Sequence, residues 1–140
     1  MKILGIDHGE ARIGLALSDD LGMLAHPFET IDGRAKTAAI LRQIAGLVTT
    51  KKIERVIIGL PRNMNGTYGP AADKVREFAD KLKTTLSIPV QLWDERMTTL
   101  QAQRSLHDAG RNVKNSRKVI DQVAAVIILQ SYLDSLEMLS

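Results

Sequence analysis

Cysteine is absent from the 140 residues, which excludes disulfide scaffolds, thiolate-bound zinc, iron–sulfur clusters and thiol nucleophiles. Aromatic side chains make up only 4%, so the core has to be aliphatic and no clustered aromatic face is available for stacking bases. No apolar run approaches the roughly 18 residues of a membrane-crossing helix. The opening MKILGIDHGEARIG has a short apolar run followed by Asp7 and Glu10, unlike a signal peptide; a cytoplasmic location is expected. G-x-x-x-x-G-K-[ST], G-x-G-x-x-G and G-x-S-x-G are all missing, and His8, His26 and His107 share no metal-ligand spacing. His8, beside Asp7, reads as a turn residue. Glycine and proline together are too few for a disordered or collagen-like chain.

What is present fits one globular domain over residues 1–140, large enough for a self-sufficient core. The net charge is only +3, but it is unevenly spread. Residues 101–118 carry Arg104, Arg111, Lys114, Arg117 and Lys118 against Asp108, whereas 119–140 carry three carboxylates and no Lys or Arg. A basic segment of this kind fits a polyanionic partner and equally a solvated loop.

Apolar runs predict strands over Lys2–Asp7, Ile13–Ser18, Met23–Thr30 (weakened by Pro27), Ile53–Leu60 and Pro89–Trp93. Helical spacing of Ala39, Ile40, Ile44 and Leu47 predicts a helix over Ala35–Thr50. Pro70 opens a second, to about Leu86. Thr98 with Gln101 forms a capping box for a third, stopped by Gly110. Arg111–Ser116 reads as a basic loop and Arg117–Leu136 as a largely buried last helix. The order β-β-β-α-β-α-β-α-α implies an α/β fold with a mixed five-stranded sheet and helices on its faces.

Three carboxylate positions stand out. Asp7 ends an apolar strand, where a carboxylate is costly unless compensated. Asp94-Glu95-Arg96 follows a strand expected to lie centrally, and ligands in open α/β sheets bind beyond carboxyl ends of strands. Asp121 lies near the start of the most apolar helix, where the helix dipole alone would favour it. Converging at one sheet edge, such carboxylates suit Mg²⁺ or Mn²⁺. Two ions about 3.5–4 Å apart activate water and stabilise the leaving oxygen of a phosphodiester. The loop Gly59–Gly69 leads from a strand to a helix N-terminus and carries Arg62, so it reads as a phosphate-binding segment.

GIDHGEARIGLALSD, IIGLPRNMNGTYG, WDERMTT and KVIDQVAA, in this order, resemble the YqgF family, known as pre-16S rRNA nucleases or RuvX-type Holliday junction resolvases of RNase H-like fold. The resemblance covers residues 3–133. It implies Asp7, Glu95 and Asp121 as the catalytic, metal-binding acidic set for Mg²⁺ or Mn²⁺. It draws attention to Gly9, Arg12 and Gly14, to the GLPRNMNGT loop with Arg62 and Asn63, and to Arg96, Thr98 and Thr99. With Arg111, Lys114 and Arg117 of the basic segment, Arg12, Arg62, Asn63 and Arg96 are the expected nucleic-acid contacts. Asn65 stands where the family commonly has Asp; it keeps the turn chemistry without the charge and is not counted as a ligand.

The expected function is therefore a metal-dependent nuclease acting on structured nucleic acid, first of all precursor 16S rRNA, on ribosomal assembly intermediates. The protein is expected to be a monomer or weak homodimer. A junction-resolving DNA endonuclease is a close second. A non-catalytic nucleic-acid adaptor would need the basic segment but not the acidic set. The first hairpin also resembles the phosphate loop of actin-like ATPases, which enclose ATP between two such domains where this chain supplies one.

Overall fold

The computed structural model describes residues 1–63, 65–95 and the helix 114–138, whose side chains it describes from Gln122 to Glu137. The strands are β1 (Ile3–His8), β2 (Arg12–Ser18), β3 (Ala25–Asp32), β4 (Arg55–Leu60) and β5 (Val90–Asp94); the helices are α1 (Thr37–Thr50), α2 (Pro70–Thr85) and α3 (Lys114–Met138). They form one sheet in the order β3-β2-β1-β4-β5. The first three strands are an antiparallel meander, and β4 and β5 add in parallel to β1. The mixed sheet agrees with the sequence reading. The helix expected over 98–109 lies outside the described residues.

Period-2 alternation sorts the strands onto two cores. Leu4, Ile6, Ile13, Leu15, Val56, Ile58 and Leu60 face α1 and α2, which contribute Ile40, Ile44, Ala72, Val75, Phe78 and Leu82. Ile3, Ala16 and Ile57 face α3, which contributes Ala124, Ala125, Ile128, Leu129, Tyr132 and Leu133. Each fully buried Val, Leu, Ile or Phe among these stabilises the fold by about 1.5–3 kcal/mol. β4 is apolar along both faces because helices cover both.

Four boundaries or placements depart from the sequence reading. β3 runs two residues later than expected, because Pro27 sits at a register shift opposite Leu15/Ala16 and the ladder extends to Asp32 instead. His8 is the last residue of β1, with its ring 4.5 Å from that of Phe78 on α2. Among the described residues β5 is an edge strand, pairing with β4 alone and burying only Val90 of its own five residues. The last helix begins at Lys114, so Lys114, Asn115 and Ser116 are helical, not loop. These residues lack apolar periodicity, but a helix anchored by its buried middle extends into them at little cost.

Candidate active site

The helix start at Lys114 changes the meaning of Asp121. It is the eighth residue of α3, not a first-turn residue, and the first turn holds no acid. Capping and the terminal dipole therefore do not explain it, since both act within the first turn.

Asp7 is the fifth residue of β1 and is only 8% exposed. It alternates with Ile3 and Gly5, so it stands on the α3 face. Glu95, one residue beyond β5, is 6% exposed and alternates with Trp93 on that same face. Between them runs β4, and there the residue is Gly59. A Cβ at Gly59 would fall against Ile128 Cδ1, with Ile128 Cγ1 at 3.0 Å and Glu95 Cγ at 3.4 Å. The missing side chain lets Glu95 lie over β4 toward Asp7. Trp93 ties this end of β5 to α3: its Nε1 donates to Ser131 Oγ at 3.1 Å and its ring meets Tyr132 edge-on.

Helix α3 runs antiparallel to β1. Leu133 packs in the cluster with Ile3, and the Cβ of Leu129 and the carbonyl of Ala125 press on Gly5. One turn further back is position 121. Its neighbour fixes the level: Gln122 Nε2 donates to Thr30 Oγ1 at 3.1 Å, Thr30 pairs with Gly14, and Gly14 pairs with Asp7. The backbone of α3 thus brings residue 121 to the row of Asp7. The three elements expected to converge, β1, the end of β5 and α3, meet at one end of the sheet by their backbones. His8, the nearest imidazole in sequence, is on the opposite face; burial lowers its pKa, against the pull of Asp7.

The expected nucleic-acid contacts fare differently. Arg12 is half-buried at the start of β2, on the α3 face, and lines a cleft with Ala11, Thr30, Ile31, Asp32, Arg34 and Gln122. Arg62 is largely consumed inside the molecule. Its Nε donates to Gly66 O at 2.8 Å, its Nη1 pairs with Asp94 Oδ2 at 3.4 Å, and its guanidinium lies 4.8 Å from the Tyr68 ring. Tyr68 OH also donates to Asp94, at 2.7 Å. Asn63 closes the same loop, its Nδ2 donating to Thr67 Oγ1 at 3.1 Å. Asn65 Oδ1 accepts from Thr67 N and Oγ1, as a turn residue should. Lys114 and Arg117 are helical residues of α3, while Arg96 and Arg111 lie outside the described residues. Sequence reasoning did not find Thr30, Arg34, Gln122 or the spacing role of Gly59; only the last had a local signal, a glycine at a strand's end.

The sheet order with an acidic edge under α3 defines an RNase H-like fold. The same architecture recurs in solved structures of junction resolvases. RuvC of T. thermophilus in complex with a Holliday junction substrate aligns with a TM-score of 0.62 at 15% identity, covering 98% of this chain and 96% of that one. Fowlpox virus resolvase aligns at 0.55 and 17% identity, covering 97% and 99%. The family model described as "RuvX: Holliday junction resolvase" matches residues 1–135, and the chain belongs to this family. A protein of Pelotomaculum thermopropionicum named "Putative pre-16S rRNA nuclease" is 46% identical over 96% of this chain and 88% of its own length. One of the same name from Acetivibrio thermocellus is 45% identical, over 96% of both.

Proposed function

We propose that this protein is a divalent-metal-dependent nuclease that hydrolyses phosphodiester bonds in structured nucleic acid, acting in the cytoplasm on the 5′ end of precursor 16S rRNA. One observation carries the reading: Asp7 and Glu95 are buried on one face at the ends of β1 and β5, the two strands that flank β4, with residue 121 of α3 brought to the same row.

The donor set fits Mg²⁺ or Mn²⁺, because it offers hard carboxylate oxygens and neither thiolate nor imidazole. Asp7, Glu95 and Asp121 would hold the ion or ions, which supply activation of water and charge stabilisation at the leaving oxygen. The protein's own contribution is preorganisation. Asp7 is fixed by strand pairing with Gly14, and Glu95 by Gly59, Ile128 and the Trp93–Ser131 anchor. Burial of both carboxylates keeps the site at low dielectric, where charge interactions are strong. Arg12 on the rim adds positive charge for the incoming phosphate. Arg62 and Asn63 brace the loop that follows β4, through Gly66 and Thr67.

The relatives' names favour precursor rRNA. The family description favours the second reading, a junction-resolving endonuclease, for which the same acidic edge would serve. The two separate when cleavage of a precursor 16S rRNA fragment and of a four-way DNA junction is measured side by side, with Mg²⁺, with Mn²⁺ and with EDTA, and with Asp7→Asn as control. Metal-dependent cleavage of the RNA that Asp7→Asn abolishes is expected. Cleavage of the junction alone would transfer the assignment to the second reading. No cleavage of either, with binding intact, would leave a nucleic-acid adaptor.

A further inference from the structure

The strand row that holds Asp7 continues beyond it, away from Glu95, through Gly14 to Thr30. There it opens into a cleft of about 460 Å³ lined by Arg12, Thr30, Asp32, Arg34 and Gln122 among others. We propose that this cleft is a phosphodiester-backbone subsite, holding the substrate strand a few nucleotides from the reacting bond. The proposal rests on nucleic acid being the ligand, as above, but not on its being cleaved.

Position is the first argument. Thr30 lies two strands from Asp7, about 10 Å at ordinary strand spacing, on the same α3 face. A strand with one phosphate at Asp7 that skirts α3 at this end of the sheet has its neighbouring phosphates within reach of the cleft.

Charge is the second. Among the described residues, two guanidiniums line the cleft against one carboxylate, Asp32, whose Oδ1 accepts from the Arg34 backbone N–H at 2.9 Å. Among the described residues, neither Arg12 nor Arg34 takes part in an ion pair or a side-chain hydrogen bond. Arg62, by contrast, is spent on Gly66, Asp94 and Tyr68. Among the described residues nothing occupies the planar forks of these two arginines, and such forks recognise phosphate oxygens in pairs.

Rigidity is the third. Arg12 follows the turn Gly9–Ala11, and Arg34 sits in the loop after β3. The two turns are interlocked: Gly33 N donates to Ala11 O at 3.0 Å, and a Cβ at Gly33 would come within 2.7 Å of Glu10 O and 2.8 Å of Gly9 O. The Gln122–Thr30 hydrogen bond fastens α3 over the far wall. The cleft's walls are thus preformed, and Thr30 and Gln122 add polar groups between the arginines.

The test reads binding without cleavage. Fluorescence anisotropy in EDTA follows a labelled RNA duplex with a single-stranded extension, and separately a labelled four-way DNA junction, over a range of salt concentrations. Arg34→Gln should weaken binding and lower the slope of log K against log salt by roughly 0.7–0.9, the share of one phosphate contact. Arg12→Gln with Arg34→Gln should lower it about twice as far. Arg34→Lys, which keeps charge but loses the fork, should restore the slope while recovering only part of the affinity. Arg42→Gln, on the exposed side of α1, should leave both unchanged. Thermal melts of the variants matching wild type exclude a folding cause, since the Arg34 side chain is exposed. A wild-type slope in Arg34→Gln and in the double variant overturns the subsite. So does wild-type protein that binds neither probe. Binding with the predicted slope losses but no metal-dependent cleavage would retain the subsite and overturn the nuclease reading instead.

Discussion

Helix α3 rests on two glycines of the sheet, and the two contacts differ in kind. At Gly59 an added Cβ meets the far end of the Ile128 side chain. At Gly5 it comes within 2.7 Å of Leu129 Cβ and 3.2 Å of Ala125 O, atoms that no side-chain rotation can remove. Gly59→Ala gains roughly 0.5–1 kcal/mol by losing a flexible residue from a strand and costs about 1–3 kcal/mol by overpacking. The net is a destabilisation of up to about 2.5 kcal/mol, at roughly 4 °C in Tm per kcal/mol for a chain this size. Ile128→Val alone should cost about 0.5–1.5 kcal/mol. It removes Cδ1, however, so the double variant should be more stable than the sum of the two by about 1 kcal/mol. Gly5→Ala must lift the helix and should cost more than Gly59→Ala, and Leu129→Val, which keeps its Cβ, should not relieve it. Urea unfolding of the four single and two double variants measures each term. Strict additivity of Gly59→Ala with Ile128→Val, or a Gly5→Ala as mild as Gly59→Ala, would refute the packing argument that also places Glu95.

Asp7→Asn, Glu95→Gln and Asp121→Asn should each abolish cleavage while the circular dichroism spectrum stays native, and pairs of them should lose no more than one alone, because removing one ligand empties the site. Asp121→Asn should also raise the Tm in EDTA and shrink the gain on adding Mg²⁺: two like charges about 5 Å apart at an effective dielectric near 20 repel by roughly 3 kcal/mol before solvent relaxation, leaving a net strain on the order of 1 kcal/mol. A lower Tm in EDTA with the full metal-induced gain would remove Asp121 from the set. Burial against Phe78 lowers the His8 pKa below its ordinary 6.5, so the unfolded chain binds the proton more readily and stability falls as pH drops below about 6.5. His8→Phe should therefore show a shallower loss between pH 6.5 and the carboxylate range in pH-dependent urea melts, and an unchanged slope would contradict this.

The candidate acidic edge has local signatures in the sequence: apolar strands ending in carboxylates, and one Asp in an apolar helix. The choice between Asp94 and Glu95 was not settled by those patterns and needed the resemblance. The register explains it. Alternation from Leu92 turns Asp94 toward the α1 and α2 side, where it holds Arg62 and Tyr68, while Glu95 follows Trp93 to the α3 side. The edge position of β5 was misread because its PVQLW run looks as apolar as a central strand. Thr30, Arg34 and Gln122 carry no shared local pattern; β-pairing across Gly14 and one hydrogen bond 92 residues apart in sequence bring them together. Such long-range pairing is what short-range periodicity cannot encode.

Whether Asp7, Glu95 and Asp121 share a divalent ion is read from the anomalous difference map of a crystal grown in Mn²⁺. One peak is expected, or two about 3.5–4 Å apart, ligated by oxygens of all three carboxylates and lost in Asp7→Asn crystals. Ordered Asp7, Glu95 and Asp121 with no peak between them at saturating Mn²⁺, or a peak that survives Asp7→Asn, would contradict it.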